Sequence, residues 1–130
     1  MINYNTKTTK QLIQLTQKAF NAYIRHRDRF EPCINCNQFR TLQAGHFFSA
    51  GKYPNLRFNE DNVHGECKAC NYYKSESHAY KYRPNLINKI GQERFDKIEL
   101  LATSYNPPFK WNRWVLIELI EYYKDRIKHE

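Results

Sequence analysis

The chain has 130 residues, a length that suits one ordinary domain, and carries 21 Lys and Arg against 13 Asp and Glu, a formal net charge of +8. That surplus points to a polyanionic partner, most often nucleic acid; the alternative is a soluble basic protein with no such partner. No apolar run approaches the roughly 18 residues that a membrane span requires, and the opening "MINYNTKTTK" lacks the apolar centre of a signal peptide, so the expectation is an intracellular protein in a reducing compartment.

In chain order, a helix is expected first, from Thr8 to Phe30. Leu12, Leu15, Ala19, Tyr23 and Ile24 recur mostly at three- and four-residue steps. Thr6, Thr8 or Thr9 can cap its start and Pro32 stops it. "CINCN" reads as a tight knuckle, Arg40 to Phe48 as a strand, and the region of Gly51 and Pro54 as a loop. A short extended piece follows around Val63 and His64. A helix begins near Lys68, and Pro84 separates it from a second helical segment. In that segment Leu86, Ile90, Phe95, Ile98 and Leu101 or Ala102 form an apolar stripe, with Gly91 as its weak point. "YNPPFK" is an extended linker. The last helix runs from about Trp111 to Ile127, with Trp114, Leu116, Leu119, Ile120, Tyr123 and Ile127 inward. The organisation is one domain: a helix at 8–30, a core at 31–83 and a helical region at 84–130.

The core is too short and loop-rich to be held by burial alone. All four cysteines lie inside it, in two C-x2-C pairs, Cys33 with Cys36 and Cys67 with Cys70, with 30 residues between the pairs. Two such knuckles can close a tetrahedral site, and soft sulfur ligands favour zinc or iron. The alternatives are two disulfides or four unrelated thiols. A reducing compartment disfavours the first and the complete pairing disfavours the second, so a structural zinc ion is expected. Four thiolates and one Zn2+ contribute −2, which lowers the net charge from +8 to +6 and leaves the molecule basic.

Between the knuckles stands His46, in "LQAGHFF". Asn62 precedes the second knuckle and Asn71 follows it directly. Taken singly, these are a hydrogen-bonded strand histidine, a turn residue and a helix cap. Taken together around a metal staple, they place an imidazole and a carboxamide in one small volume. An imidazole serves as a general base near neutral pH. An amide oxygen suits a hard cation such as Mg2+. A base on one side of a phosphodiester and a cation on the other is what hydrolysis requires.

The set His46, Asn62, Asn71 resembles the HNH, or ββα-metal, nuclease superfamily in an H-N-N form. The blocks "AGHFFSAGKYPNLRFNEDNVHGECKACNYYKS", "LINKIGQERFDKIE" and "YNPPFKW" resemble the phage lambda NinG (Rap) recombination family, over roughly residues 31 to 115. The resemblance implies an α+β fold, with a zinc-stapled ββα-metal core flanked by N- and C-terminal helices. It implies an endonuclease that cuts branched or junction DNA in phage recombination, in the cytoplasm of an infected or prophage-bearing host. In that reading His46 is the general base, Asn62 holds the loop that positions it, Asn71 binds a catalytic Mg2+ or Mn2+, and the cysteines hold zinc. Resolving a junction takes two cuts, which fits a homodimer. The alternative is a zinc-stabilised DNA-binding module without catalysis. One departure favours that alternative: Gln43, Ala44 and Gly45 precede His46, so no carboxylate lies on that strand, and Glu60 and Asp61 are the neighbours that would have to compensate. Of the basic residues near the site, Arg57 and Lys74 are expected at phosphate. Tyr72, Tyr73, Tyr80 and Tyr82 are candidates for stacking on bases or for core packing. His64 and His78 have no evident role.

Overall fold

The computed structural model of the chain describes residues 2–72 and 76–129. The first long element, α1 (Thr9–Arg27), starts at a reciprocal cap. The Thr8 hydroxyl accepts from the Gln11 N–H at 3.1 Å, and the Gln11 side chain accepts from the Thr8 N–H at 2.8 Å. Leu12, Thr16, Ala19, Phe20, Tyr23 and Ile24 form its buried stripe. The helix ends at Arg27, three residues short of the expected Phe30 and well before Pro32. Asp28 ends it, because its carboxylate turns out of the helix to accept the Gly65 N–H at 2.8 Å.

Two strands, β1 (Leu42–His46) and β2 (Val63–Cys67), pair antiparallel, with Gln43 opposite Glu66, Gly45 opposite His64 and His46 opposite Val63. Backbone groups of Val63 and Gly65 on the outer edge of β2 are engaged. Asp28 takes the Gly65 N–H, Ile34 N–H donates to the Gly65 carbonyl at 2.9 Å, and Arg27 Nη2 donates to the Val63 carbonyl at 2.8 Å. Covering an edge in this way removes a template for unwanted strand pairing.

Helix α2 (Lys68–Tyr72) follows β2 directly, as expected. Helix α3 (Glu76–Ile90) runs straight through Pro84, which was expected to end it. Proline removes one helical hydrogen bond and crowds the preceding turn. Here that cost is outweighed by the complete burial of Tyr82 and Leu86 on either side of it, while Pro84 itself faces solvent. The chain breaks instead at Gly91, whose φ of 91° suits glycine and few other residues. Helix α4 (Gln92–Thr103) then folds back, so that Phe95, Ile98 and Ala102 join Tyr82 and Leu86 in one cluster, and Leu101 points outward.

Helix α5 (Arg113–His129) buries Leu116, Ile120 and Tyr123 against α1. Trp114, expected on that face, is 67% exposed. Two residues before Leu116 on a helix is the opposite side of the cylinder. Trp111 lies before the helix, with its ring 5.0 Å from Phe58. The ribbon therefore stands between two apolar clusters, one built on α1 and α5 and the other on α3 and α4. Among the described residues no helix is long and apolar enough to cross a membrane.

His64 sits at the junction of these parts and is 1% exposed. Its Nε2–H donates to the Asp61 carbonyl at 2.8 Å and its Nδ1 accepts from Arg27 Nη2 at 3.1 Å, which fixes the neutral ring. Burial, and then the positive charges of Lys89 and Arg27, push its pKa from 6.5 down to about 3. Asp28 beside it is pushed up by burial, but the Arg27 guanidinium and then Lys89 outweigh this and hold it well below the usual carboxylate range. A histidine with a depressed folded pKa binds its proton more readily in the unfolded chain. Stability should therefore fall as pH drops below about 6.5, by about 1.4 kcal/mol per pH unit down to about pH 3. Urea midpoints measured between pH 7 and pH 4.5 at constant zinc should show this decline, and His64→Gln should flatten it.

Candidate functional site

The first knuckle is made by a turn at residues 34–36 that closes when Asn37 adopts a φ of 60° and donates its N–H to the Cys33 carbonyl at 2.9 Å. Asparagine tolerates this left-handed backbone better than most residues. The backbone N–H groups of Asn35, Cys36 and Cys67 point at Cys33 Sγ at 3.4, 3.5 and 3.3 Å. Cys67 ends β2 and Cys70 lies in α2, so the second knuckle is the strand-to-helix corner itself.

All four cysteines are reduced, and their sulfurs lie within 4.8 Å of one another, with Cys36 and Cys67 at 3.9 Å. Zinc–sulfur bonds of about 2.3 Å in a tetrahedron put the sulfurs about 3.8 Å apart, so these residues could hold a metal such as zinc. Burial, and then the neighbouring sulfurs, push the Cys70 thiol far up. Burial also opposes ionisation of Cys36, but the Gln38 N–H and the other thiols outweigh it and bring that thiol below its ordinary value. Sulfurs this crowded resist ionising together, and a divalent cation supplies the missing charge.

His46 ends β1. Its Nε2 lies 2.9 Å from the Arg57 carbonyl. A carbonyl only accepts, so Nε2 carries the proton and Nδ1 carries the lone pair. Asn62 is fully buried. Its Oδ1 accepts the Phe48 N–H at 2.8 Å, its Nδ2 donates to the carbonyls of Phe48 and Leu56 at 3.0 Å each, and its backbone carbonyl accepts the Phe47 N–H at 2.9 Å. One side chain thus ties the segment leaving β1 to the turn next to Arg57, whose carbonyl holds the imidazole.

Asn71 donates from Nδ2 to Gln43 Oε1 at 2.9 Å. Side chains alternate along a strand. Gln43 and Gly45 therefore project from the face toward α2 and α3, and His46 from the opposite face, beside Ala44. Asn71 is thus bonded on the Gln43 face of β1, and the His46 imidazole lies on the opposite face.

Of the basic candidates, Arg57 sends Nε to Gln17 on α1 at 2.7 Å and lies over the Phe58 ring. Arg83 pairs with Glu99 at 3.6 Å and covers Phe95. Lys74 and Tyr73 lie outside the described residues. Tyr72 and Tyr80 are exposed, whereas Tyr82 is buried, with its hydroxyl donating to the Gly45 carbonyl at 2.6 Å. Glu60 accepts the Tyr123 hydroxyl at 3.0 Å and Asp61 is paired with Arg94, so both carboxylates are engaged away from the β1 strand. An open cleft of about 640 Å3 lies beside the sulfur cluster, lined by Arg40, Thr41, Lys68 and Tyr72 among others, and none of its lining residues is His46, Asn62 or Asn71.

Two groups escaped the sequence reading. Asp28 binds β2, Arg27 and Lys89 at once. Glu66 is fully buried beside His78. Alternation in "VHGEC" places Glu66 on the same face as His64, and that was the signal available for it.

These features define a mixed helix-and-ribbon domain whose strand-to-helix corner shares a four-cysteine metal-type site with an earlier knuckle. Residues 3–130 match the family described as Bacteriophage Lambda NinG protein, and the chain belongs to that family. It is 47% identical over 89 residues to the protein ninG of Escherichia phage 933W, covering 67% of this chain and 44% of that protein. The ninG protein of Escherichia phage lambda is likewise 47% identical over 89 residues (67% of this chain, 43% of that one), and that of Salmonella phage P22 is 44% identical over the same length and shares. The chain thus spans under half the length of these relatives. No solved structure matches it.

The sulfur cluster should bind one zinc ion per chain. Removal by a strong chelator should abolish the cooperative thermal transition, read by circular dichroism, and Cys70→Ser should lower zinc content and melting temperature together. Asn62→Ala leaves buried backbone groups of Phe48 and Leu56 unsatisfied and should cost about 3 kcal/mol in urea titration.

Proposed function

We propose that the chain is a metal-dependent endonuclease of the ββα-metal (HNH) type, hydrolysing phosphodiester bonds of branched or junction DNA in phage recombination. The observation that carries this reading is the locked imidazole. His46 is held through Nε2 by the Arg57 carbonyl, and the Asn62 clamp holds the Leu56 carbonyl one residue before it. A histidine kept in the Nε2–H tautomer presents Nδ1 as a base.

In this mechanism Nδ1 takes a proton from the water that attacks phosphorus, and Asn62 keeps the ring from turning. With Asn71 Nδ2 committed to Gln43, Asn71 Oδ1 is the oxygen that could ligate Mg2+ or Mn2+, an oxygen donor of the kind hard cations prefer. Such an ion would stabilise charge on the phosphate and on the leaving oxygen. The products expected for this type carry 5′-phosphate and 3′-hydroxyl ends. The net charge of +8 supports a DNA partner held through phosphate.

The test is a cleavage assay on branched and linear DNA, with and without EDTA. His46→Ala should lower the rate by about 10²–10⁴ while zinc content, circular dichroism and DNA affinity stay as in the unmodified protein. Normal cutting by that variant refutes the assignment. Salt-sensitive DNA binding with no cleavage under any condition would leave a zinc-stabilised binding module instead. Asn71→Ala should shift the Mg2+ titration of cleavage to higher concentration.

A further inference from the structure

The face of the ribbon turned toward α2 and α3 holds a carboxylate that no step above uses. Glu66 is 0% exposed. Its Oε2 lies 2.6 Å from His78 Nε2 and accepts from Asn35 Nδ2 at 3.2 Å. Its Oε1 is buried and has no hydrogen-bond partner among the described residues. An unsatisfied oxygen on a buried carboxylate is expensive, and native proteins rarely keep one without a ligand or a function for it.

The position of that oxygen gives the reason. A Cβ built on Gly45 would fall 2.1 Å from Glu66 Oε1. The oxygen therefore occupies the space that a side chain at position 45, next to His46, would fill. Glu66 stands opposite Gln43 in the register, and Gln43 is the residue bonded to Asn71. Glu66 Oε1, the Gln43 amide and the Asn71 amide thus share one face at the strand that ends in His46. Glu60 and Asp61, the nearer carboxylates in sequence, are tied to Tyr123 and Arg94.

We propose that Glu66 Oε1 is a ligand of the same divalent ion as Asn71, so that the carboxylate missing from β1 is delivered from β2 across Gly45. The proposal rests on the nuclease reading and adds a residue to its metal site. His78 and Asn35 are positioning residues: by holding Oε2 they turn Oε1 toward Gly45. A carboxylate with an amide oxygen, completed by water or phosphate, is the donor set that Mg2+ and Mn2+ take. Gly45 is required because any larger residue would occupy the place of the carboxylate.

The experiment is Mn2+ binding to the zinc-loaded protein without DNA, followed by electron paramagnetic resonance of unbound Mn2+. Glu66→Gln should weaken binding at least about tenfold, with zinc still at one per chain. In the unmodified protein, Mn2+ should broaden the amide resonances of Gly45 and Glu66 and the Asn71 side-chain amide before others, a readout that stands even if the variant fails to fold. Unchanged Mn2+ affinity in a folded Glu66→Gln protein, or broadening centred on Glu60 and Asp61 with Gly45 and Glu66 sharp, overturns the proposal. If either occurs while the unmodified protein still cuts DNA, only this ligand assignment falls. If the unmodified protein neither binds Mn2+ nor cuts, the nuclease reading falls with it.

Discussion

The sulfur cluster is the constraint on which the rest of the molecule depends. The ribbon has two strands of five residues each, and an isolated two-stranded ribbon is marginal in water. The second knuckle is the corner where β2 becomes α2, and the first lies just beyond the end of α1. Joining them closes a loop of more than thirty residues and fixes the ribbon against both helices. The parts of the proposed site, the His46 strand, the Asn62 clamp and the Asn71 helix, all hang from that joint.

The two faces of the ribbon then acquire different characters. One carries His46 and Ala44 and looks toward α1. The other carries Gln43, Gly45, His64 and Glu66 and looks toward α2 and α3. The first is governed by packing: Val63 and Phe58 belong to the cluster with Phe20, Ile24 and Tyr123. The second is governed by polar groups held out of water, with Tyr82 donating to the Gly45 carbonyl and His78 meeting Glu66. Buried polar networks of this kind fix one arrangement only when their members are satisfied, and here, among the described residues, Glu66 Oε1 is left over.

Much of this was legible beforehand, for identifiable reasons. The paired cysteines declared their own clustering, because two-residue spacing is a property of ligand geometry. The period of apolar residues located α1 and α5, and the turn residues around Gly51 and Pro54 located the loop between the strands. What was not legible came from contacts distant in sequence. Pro84 was given its local meaning, but the burial of Tyr82 and Leu86 overrode it and the break moved to Gly91. Trp114 was counted as core because it is large and apolar, yet it sits two residues before Leu116 and so on the far side of α5. Asp28 and Glu66 were given no role. Nothing in their immediate neighbours reveals that one takes the Gly65 N–H and that the other fills the space beside a glycine on the next strand.

The engagement of the outer edge of β2 by Arg27 and Asp28 bears on how the molecule can be divided. A fragment beginning at residue 31 would retain every cysteine, the imidazole and both asparagines. It would lose the guanidinium and carboxylate that occupy the outward backbone groups of Val63 and Gly65. Those groups would then be open to a strand from another molecule. Transplanting this centre into a foreign scaffold therefore means carrying the last turn of the preceding helix along with it, and the shortest useful excision is set by an aspartate, not by the metal ligands.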